Sequence, residues 1–404
     1  MRWRRALLAW AVLCAAAGAA AAVTTPGREQ DVAAVGDAAS TTTRPATTAT
    51  SASKTSVPTA PGSPATTDAA VPTTAATPRD PAPTTATTAA AAPALPVVDG
   101  PGVWFLDTAT GSVTRATDPP DTLENVDWLP DEAGVVLRRY DGMIVTFERD
   151  GSSRTLAGPT AAFDASPSSG RFARDDVATG RRGIAVTDID TVSNPAFAPA
   201  PEDDNSTPAL AFSPDGGRLA VARAGGVQVL DAATAAAVTP LVPWPGGNPG
   251  YDNLEWSSDG RWIVTGGPDV VAVAADGSTA RVVASTGFNL AFGAGPGSSF
   301  VMPVAGPTGP AIDVLDAATG ARIPLVDGAV AAAWAPQGGP IAWVRGGQGP
   351  GAVHQIGADG TPAPDLLAIG SHVVDVEGTP YEYAWDVWAL SWSPSRRFLV
   401  AVVR

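Results

Sequence analysis

The sequence predicts an all-β fold, a seven-bladed β-propeller of four-stranded blades whose ring is closed by pairing the first hairpin with the last. Three observations predict it. A strand-turn-strand unit recurs along the chain, a second kind of hairpin lies between successive copies, and the two kinds number seven each but are out of phase at the ends.

The clearest copy of the first unit is LAFSPDGGRLAV, Leu210 to Val221. Leu210 and Phe212 alternate with alanines, as a half-buried strand requires. Ser213-Pro214-Asp215-Gly216 fits a type I turn, because proline pre-sets φ at the second position and glycine is favoured at the fourth. Arg218 to Val221 then returns as an apolar strand. LEWSSDGRWIVT from Leu254 and LSWSPSRRFLVA from Leu390 are close copies, and VDWLPDEAGVVL from Val126 is a looser one. FDASPSSGRFAR from Phe163, LAFGAGPGSSFVM from Leu290 and AAWAPQGGPIAW from Ala332 keep only the order apolar, small, turn, apolar. Alignment puts an aromatic position at Trp128, Ala165, Phe212, Trp256, Phe292, Trp334 and Trp392, at intervals of 36 to 58 residues. A four-stranded propeller blade repeats every 40 to 50 or so residues. The repeated tryptophans Trp128, Trp256, Trp334 and Trp392 are therefore expected in the core between blades.

The second unit is a hairpin with an Asp, Thr or Gly turn. Its copies begin at Val103, Ile144, Gly183, Val227, Val270, Ala311 and Ala352. Alternation of the two units gives four strands per repeat. The chain's folded part starts with a hairpin of the second kind and stops just after one of the first kind. Pairing Val103 to Thr117 with Leu390 to Arg404 turns two half blades into one and removes the exposed terminal edges.

Composition divides the chain. No Phe, Tyr or Trp occurs between Trp10 and Trp104, and residues 24–96 are rich in Ala, Thr, Pro and Ser, with the chain's one lysine at Lys54. Such a segment buries too little apolar area to offset its conformational entropy, so a disordered linker is expected there, with the propeller confined to 97–404. Residues 1–23 read as an export leader. Arg2, Arg4 and Arg5 precede the apolar run from Ala6 to Leu13, and Ala19 to Ala22 offers small-residue cleavage sites. Three readings are open: a cleaved signal peptide, an uncleaved anchor over the 18 residues Ala6 to Val23, or lipidation at Cys14. All three place the domain outside the cytoplasm, secreted or held at the cell envelope, and an N-terminal anchor is its one route to a membrane. Cys14 is the sole cysteine, so the folded part has no disulfide and no thiol chemistry. Residues 1–96 carry seven Lys/Arg and five Asp/Glu, which leaves the folded part near −17 of the total −15. An acidic domain repels phosphate backbones, which argues against nucleic acid as a partner.

The repeated SPDG-R-L-A and W-S-P residues resemble the WD40-like propeller repeats of bacteria, the TolB type. The resemblance covers the whole propeller region and implies a rigid scaffold for proteins or small ligands. The Gly-His and Trp-Asp signatures of eukaryotic WD40 repeats are missing. So is the α/β domain that precedes the propeller in TolB, and a Tol-Pal role is therefore not implied. VLDAATGARI from Val314 and FLDTATGSVT from Phe105 resemble the LDAxTG repeats of quinoprotein-type propellers. The tryptophan that follows Thr-Gly in those repeats is absent, as is the adjacent cysteine pair that packs on the quinone.

Motifs of catalysis are scarce. No G-x-S-x-G elbow, H-E-x-x-H pair or Walker A loop occurs. The two histidines, His354 and His372, fall on a hairpin strand and on the connection after it. Asp188 and Asp190 alternate along one strand, and Glu202-Asp203-Asp204-Asn205 is a dense polar loop. Asp203 and Asp204 are the candidate metal ligands, for Ca²⁺, although EF-hand spacing is absent and no other cofactor is indicated. The candidate binding segment is VVDVEGTPYEYAWDVW, Val373 to Trp388, in the longest gap between copies of the first unit. It packs Tyr381, Tyr383, Trp385 and Trp388 among Asp375, Glu377, Glu382 and Asp386. Aromatics with acidic neighbours on a connection suit a cationic group, a sugar ring or a peptide; an inter-blade plug near the closure is the alternative. Together these readings predict a non-catalytic exported scaffold that recognises a protein, peptide or glycan at the cell envelope. The alternative is a propeller enzyme, quinoprotein-like or a lyase, acting on a small molecule.

Overall fold

The computed structural model describes residues 94–404 apart from 118–122, 178–181, 194, 203, 246–252, 268, 286–292, 307–308, 347–350, 377–378 and 404. The expectations for the leader and linker over residues 1–93 lie outside the described residues.

Each copy of the first unit supplies the two inner strands of a blade, and the following hairpin supplies the two outer ones. Blade 1 runs Leu123–Trp128, Gly134–Arg139, Ile144–Glu148, Ser153–Ala157, and blade 2 Phe163–Ser166, Arg171–Asp176, Gly183–Asp188, Ala196–Pro199. Blade 3 is Ala209–Phe212, Arg218–Arg223, Gly226–Asp231, Val242–Pro243, and blade 4 is Asn253–Trp256, Trp262–Gly266, Asp269–Ala274, Ala280–Ser285. Blade 5 is Gly293–Ala294, Ser299–Gly306, Gly309–Asp316, Arg322–Asp327, and blade 6 is Ala329–Trp334, Ile341–Arg345, Gly351–Ile356, Pro362–Ile369. Blade 7 is built from both ends of the propeller: Val387–Trp392 and Phe398–Val403, then Gly102–Asp107 and Ser112–Thr117.

The closing register is antiparallel from Gly102↔Val403 to Asp107↔Phe398, so the expected closure is realised. Further hydrogen bonds lock it. The Thr108 N–H donates to the Arg397 carbonyl at 2.8 Å, and Arg397 pairs with Asp107 at 2.9 Å. From blade 1, Glu132 accepts hydrogen bonds from the Ser395 N–H and hydroxyl, both at 2.6 Å.

Apolar alternation on both faces of each blade produces inter-blade seams, and these are the core. The buried clusters fall between neighbouring blades all round the ring, as with Phe105, Trp128, Val135, Phe398 and Val400 between blades 7 and 1. The repeated tryptophans sit there as expected, with Trp128 and Trp256 each only 2% exposed. Two of them also tie blades together through their indoles: Trp256 Nε1 donates to the Ala211 carbonyl of blade 3 at 2.8 Å, and Trp128 Nε1 to the Ser391 carbonyl of blade 7 at 3.2 Å. Trp334 instead donates to Gly339 in its own turn, at 3.0 Å. Phe292 lies outside the described residues. A turn closes at Ser213-Pro214-Asp215-Gly216, with the Gly216 N–H on the Ser213 carbonyl at 2.8 Å and Gly216 at φ 68°.

Four features differ from expectation. Val97–Val98 adds a fifth strand to blade 6, parallel to Pro362–Ile369 with Val97↔Ala368 and Val98↔Ile369; the chain thus touches blade 6 before it enters blade 7. In blade 3 the outer strand is Val242–Pro243 rather than an immediate return of the hairpin that begins at Val227, because Ala235 turns at φ 57° and the Thr239 hydroxyl accepts the Val229 N–H at 3.0 Å in place of a strand carbonyl. Asp188 and Asp190 do not share a strand face: the strand ends at Asp188, whose carboxylate accepts the Asp190 N–H at 2.9 Å to form the turn. Finally, the long connection before blade 7 folds into a sheet of its own.

Candidate functional site

That sheet is a two-stranded hairpin, Ser371–Val376 paired with Thr379–Ala384. Its valines and tyrosines favour extended backbone, and its register runs from Ser371↔Ala384 to Val376↔Thr379. Directly opposed residues share a face. One face therefore joins His372 with Tyr383 and brings Tyr381 beside Tyr383, ring centroids 6.3 Å apart. The other joins Val373 with Glu382 and Asp375 with Pro380; there Glu382 accepts the Ser371 hydroxyl. The first face is aromatic and the second acidic.

Trp385 fastens the base. Its backbone N–H donates to the Gly370 carbonyl at 3.1 Å, and its indole Nε1 donates to Asp99 Oδ1 at 3.1 Å. Its ring stacks on His372 at 4.2 Å and 24°. Asp99 directly follows the added strand Val97–Val98, so one indole links the hairpin to the chain's entry into the ring.

The structure therefore separates the six predicted binding residues. Tyr381, Glu382 and Tyr383 lie on one hairpin strand, with Tyr381 38% exposed. Asp386 is exposed in the short link to blade 7. Trp388, 40% exposed, belongs to the innermost strand of blade 7 rather than to the hairpin. Half-buried Trp385 is the anchor. Of the two candidate metal ligands, Asp203 lies outside the described residues. Asp204 is already engaged, paired with Arg223 at 3.1 Å and accepting the Ser206 N–H at 2.9 Å. Among the described residues, no group of three His, Cys, Asp or Glu side chains converges to hold a metal ion.

The histidines occupy different sheets. His354 faces Asp365, Nδ1 to Oδ1 2.8 Å, and tilts over Trp343 at 4.5 Å. His372 lies in the hairpin strand rather than in a loop, and its Nδ1 is buried without a hydrogen-bond partner among the described residues.

A second polar feature was not anticipated. Asp127, Asp164 and Glu255 each stand one residue before the aromatic position on the innermost strands of blades 1, 2 and 4. Those strands line the axis of a propeller. Asp127 reaches into the next blade to accept the Ala165 N–H at 3.2 Å, and Asp164 accepts the Phe212 N–H of blade 3 at 2.6 Å. Burial pushes Asp127 up to about 7, against the opposing hydrogen bond. Burial, and then the charge of Asp127, pushes Glu255 up to about 8. Asp164 is raised well above the usual carboxylate range by burial first and by Asp127 second. The three share one field across the axis, and their half-buried residues keep some contact with it. Their signal in the sequence is a carboxylate inside a strand at VDW, FDA and LEW.

Between the turns of blades 3 and 4 a cleft of about 270 Å³ is lined by residues that include Ser213, Asp215, Arg218, Trp256 and Asp259. The Ser213 hydroxyl and then the Gly217 N–H hold Asp215 below the ordinary carboxylate range, and both bonds belong to the turn. Among the described residues, no helix is long and apolar enough to cross a membrane.

Comparison with known proteins returns folds and not a family. No family model and no curated protein sequence matches the chain. Solved structures do. A TolB candidate from Agrobacterium tumefaciens is 16% identical over 75% of this chain and 96% of its own, at a TM-score of 0.41. TolB from Acinetobacter baumannii is 14% identical over 55% of this chain and 63% of its own, at 0.40. A chain of the Mitotic Checkpoint Complex is 17% identical over 70% of this chain and 89% of its own, at 0.50. At such identities the likeness is one of fold.

Proposed function

We propose that this protein is a non-catalytic propeller scaffold, exported to the cell envelope, that recognises a protein, peptide or glycan through the hairpin Ser371–Ala384. The observation that carries the reading is that the seven blades are complete without the hairpin. Ring closure comes from Gly102–Asp107 and Phe398–Val403, so the inserted sheet, with exposed Tyr381 and Val373, completes no blade. Loops and insertions held by a rigid scaffold are where binding residues concentrate. The sequence pattern of residues 1–23, basic residues ahead of an apolar run, supports placement outside the cytoplasm. The scarcity of catalytic motifs supports a binding role over an enzymatic one.

The test places a photo-crosslinking amino acid at Tyr381 of the full chain, with a control at Val282, which is 46% exposed on the outermost strand of blade 4. Both are expressed in cells whose envelope is intact. The expected result is one defined envelope component linked from Tyr381 and not from Val282. Equal labelling from the two sites, or from neither, would refute the assignment.

A further inference from the structure

The hairpin leaves a strand edge open, and its two faces have opposite chemistry. Resting on the reading of the hairpin as the recognition element, we propose that Thr379–Ala384 accepts an extended peptide as a third strand, and that this peptide alternates basic with apolar side chains.

The edge comes first. Thr379–Ala384 pairs with Ser371–Val376 and with no other described strand. The Trp385 N–H on the Gly370 carbonyl at 3.1 Å continues the register one step past Ser371↔Ala384 and marks a hydrogen-bonded pair, and hydrogen-bonded and non-hydrogen-bonded pairs alternate from there. The backbone of Pro380, Glu382 and Ala384 consequently points away from the partner strand. Pro380 offers only a carbonyl, whereas Glu382 offers both an N–H and a carbonyl, with Ala384 one repeat further along. Residues 379–382 are exposed. This is a short acceptor edge of the kind that strand addition uses, with main-chain bonds for affinity and alternate side chains for specificity.

Side-chain chemistry chooses the occupant. A strand laid on this edge sends successive side chains to opposite faces. One set lies over the aromatic face with Tyr381 and Tyr383; the other lies over the face of Glu382, Asp375 and Val373. Between Ser371 and Trp388 the chain carries Asp375, Glu377, Glu382 and Asp386 and no Lys or Arg, so the charge calls for Lys or Arg on that second set. The tyrosines accept an apolar residue, or a further cation against their ring faces. A peptide whose charges come in a block cannot satisfy both faces, and that sets the pattern apart from general attraction to an acidic domain.

The experiment is fluorescence anisotropy with the full chain and three labelled synthetic peptides: lysine alternating with valine, the same residues with the lysines in one block, and glutamate alternating with valine. The alternating lysine peptide is expected to bind at least about tenfold tighter than the other two. Glu382→Lys should remove that preference, and methylation of the peptide's backbone nitrogens at alternate residues should abolish binding by removing its donors. Equal affinity for the alternating and block peptides, unchanged selectivity in Glu382→Lys, or no binding overturns the proposal. A neutral oligosaccharide that binds the parent and is lost in Tyr381→Ser/Tyr383→Ser also overturns it, while leaving the hairpin as the recognition element. Failure of the Tyr381 crosslinking test removes both.

Discussion

The axial carboxylates make the propeller lose stability as pH rises, which is the reverse of ordinary ion-paired carboxylates. Unfolded, Asp127 and Glu255 titrate near 3.8 and 4.5; folded, burial holds them at about 7 and about 8. Between those limits the folded protein keeps protons that the unfolded chain has released, so stability is fully present below the unfolded values and falls until pH passes the folded ones. Each unit is worth about 1.4 kcal/mol, which sets a ceiling of about 4 kcal/mol for Asp127 alone. The two groups share one field and belong to half-buried residues, so we expect a combined loss of about 3 kcal/mol between about pH 5 and pH 8.5. For a domain of about 300 residues that is a fall of about 5 °C in Tm. The assay is calorimetric melting of the parent, Asp127→Asn, Glu255→Gln and Asp375→Asn across that range. Asp127→Asn keeps an oxygen for the Ala165 N–H but cannot ionise, so it should raise Tm by about 3 °C at the alkaline end and leave the acid end unchanged. Asp375→Asn removes the same charge from the exposed hairpin and controls for the self-repulsion of an acidic domain. A parent Tm that is level or rising with pH, or equal behaviour of Asp127→Asn and Asp375→Asn, would refute the reasoning.

Further predictions concern the ring and its entrance. Deleting residues 390–404 strips blade 7 of Phe398–Val403 and leaves Gly102–Asp107 an open edge strand paired only with Ser112–Thr117; cooperative melting should vanish, and an unchanged transition would mean that the closure is dispensable. Trp256→Phe leaves the Ala211 carbonyl without its 2.8 Å donor and should cost about 1–3 kcal/mol by urea unfolding. Gly226→Ala should be more damaging, because Gly226 sits at φ 149° and a Cβ there would overlap the Val242 carbonyl; loss of about 3 kcal/mol or failure to fold is the expected outcome. Trp385→Phe removes the donor to Asp99, so amide exchange should accelerate in Ser371–Ala384 while the blades keep their protection.

The blades could be read from the sequence because each obeys a local rule that repeats. Alternation such as Leu210 and Phe212, a turn such as Ser213-Pro214-Asp215-Gly216, and tryptophan at a fixed place in most repeats carry their own register. The closure followed from phase alone. What escaped depends on relations that no single segment contains. Asp127, Asp164 and Glu255 are unremarkable carboxylates until the ring brings three blades to one axis, where burial and mutual charge raise their pKa values. Val97–Val98 is too short to announce a strand, and it finds its place through Ala368 and Ile369, far along the chain. The segment Val373 to Trp388 was recognisable as unusual by its aromatics and carboxylates, but composition could not divide its duties. Tyr381 and Tyr383 alternate onto one strand face, whereas Trp385, beyond that strand, turns inward to His372 and Asp99. That division links the hairpin to the scaffold: the anchor is shared with the strand that leads into blade 7, so a partner bound as proposed would load the ring at the place where its two ends meet.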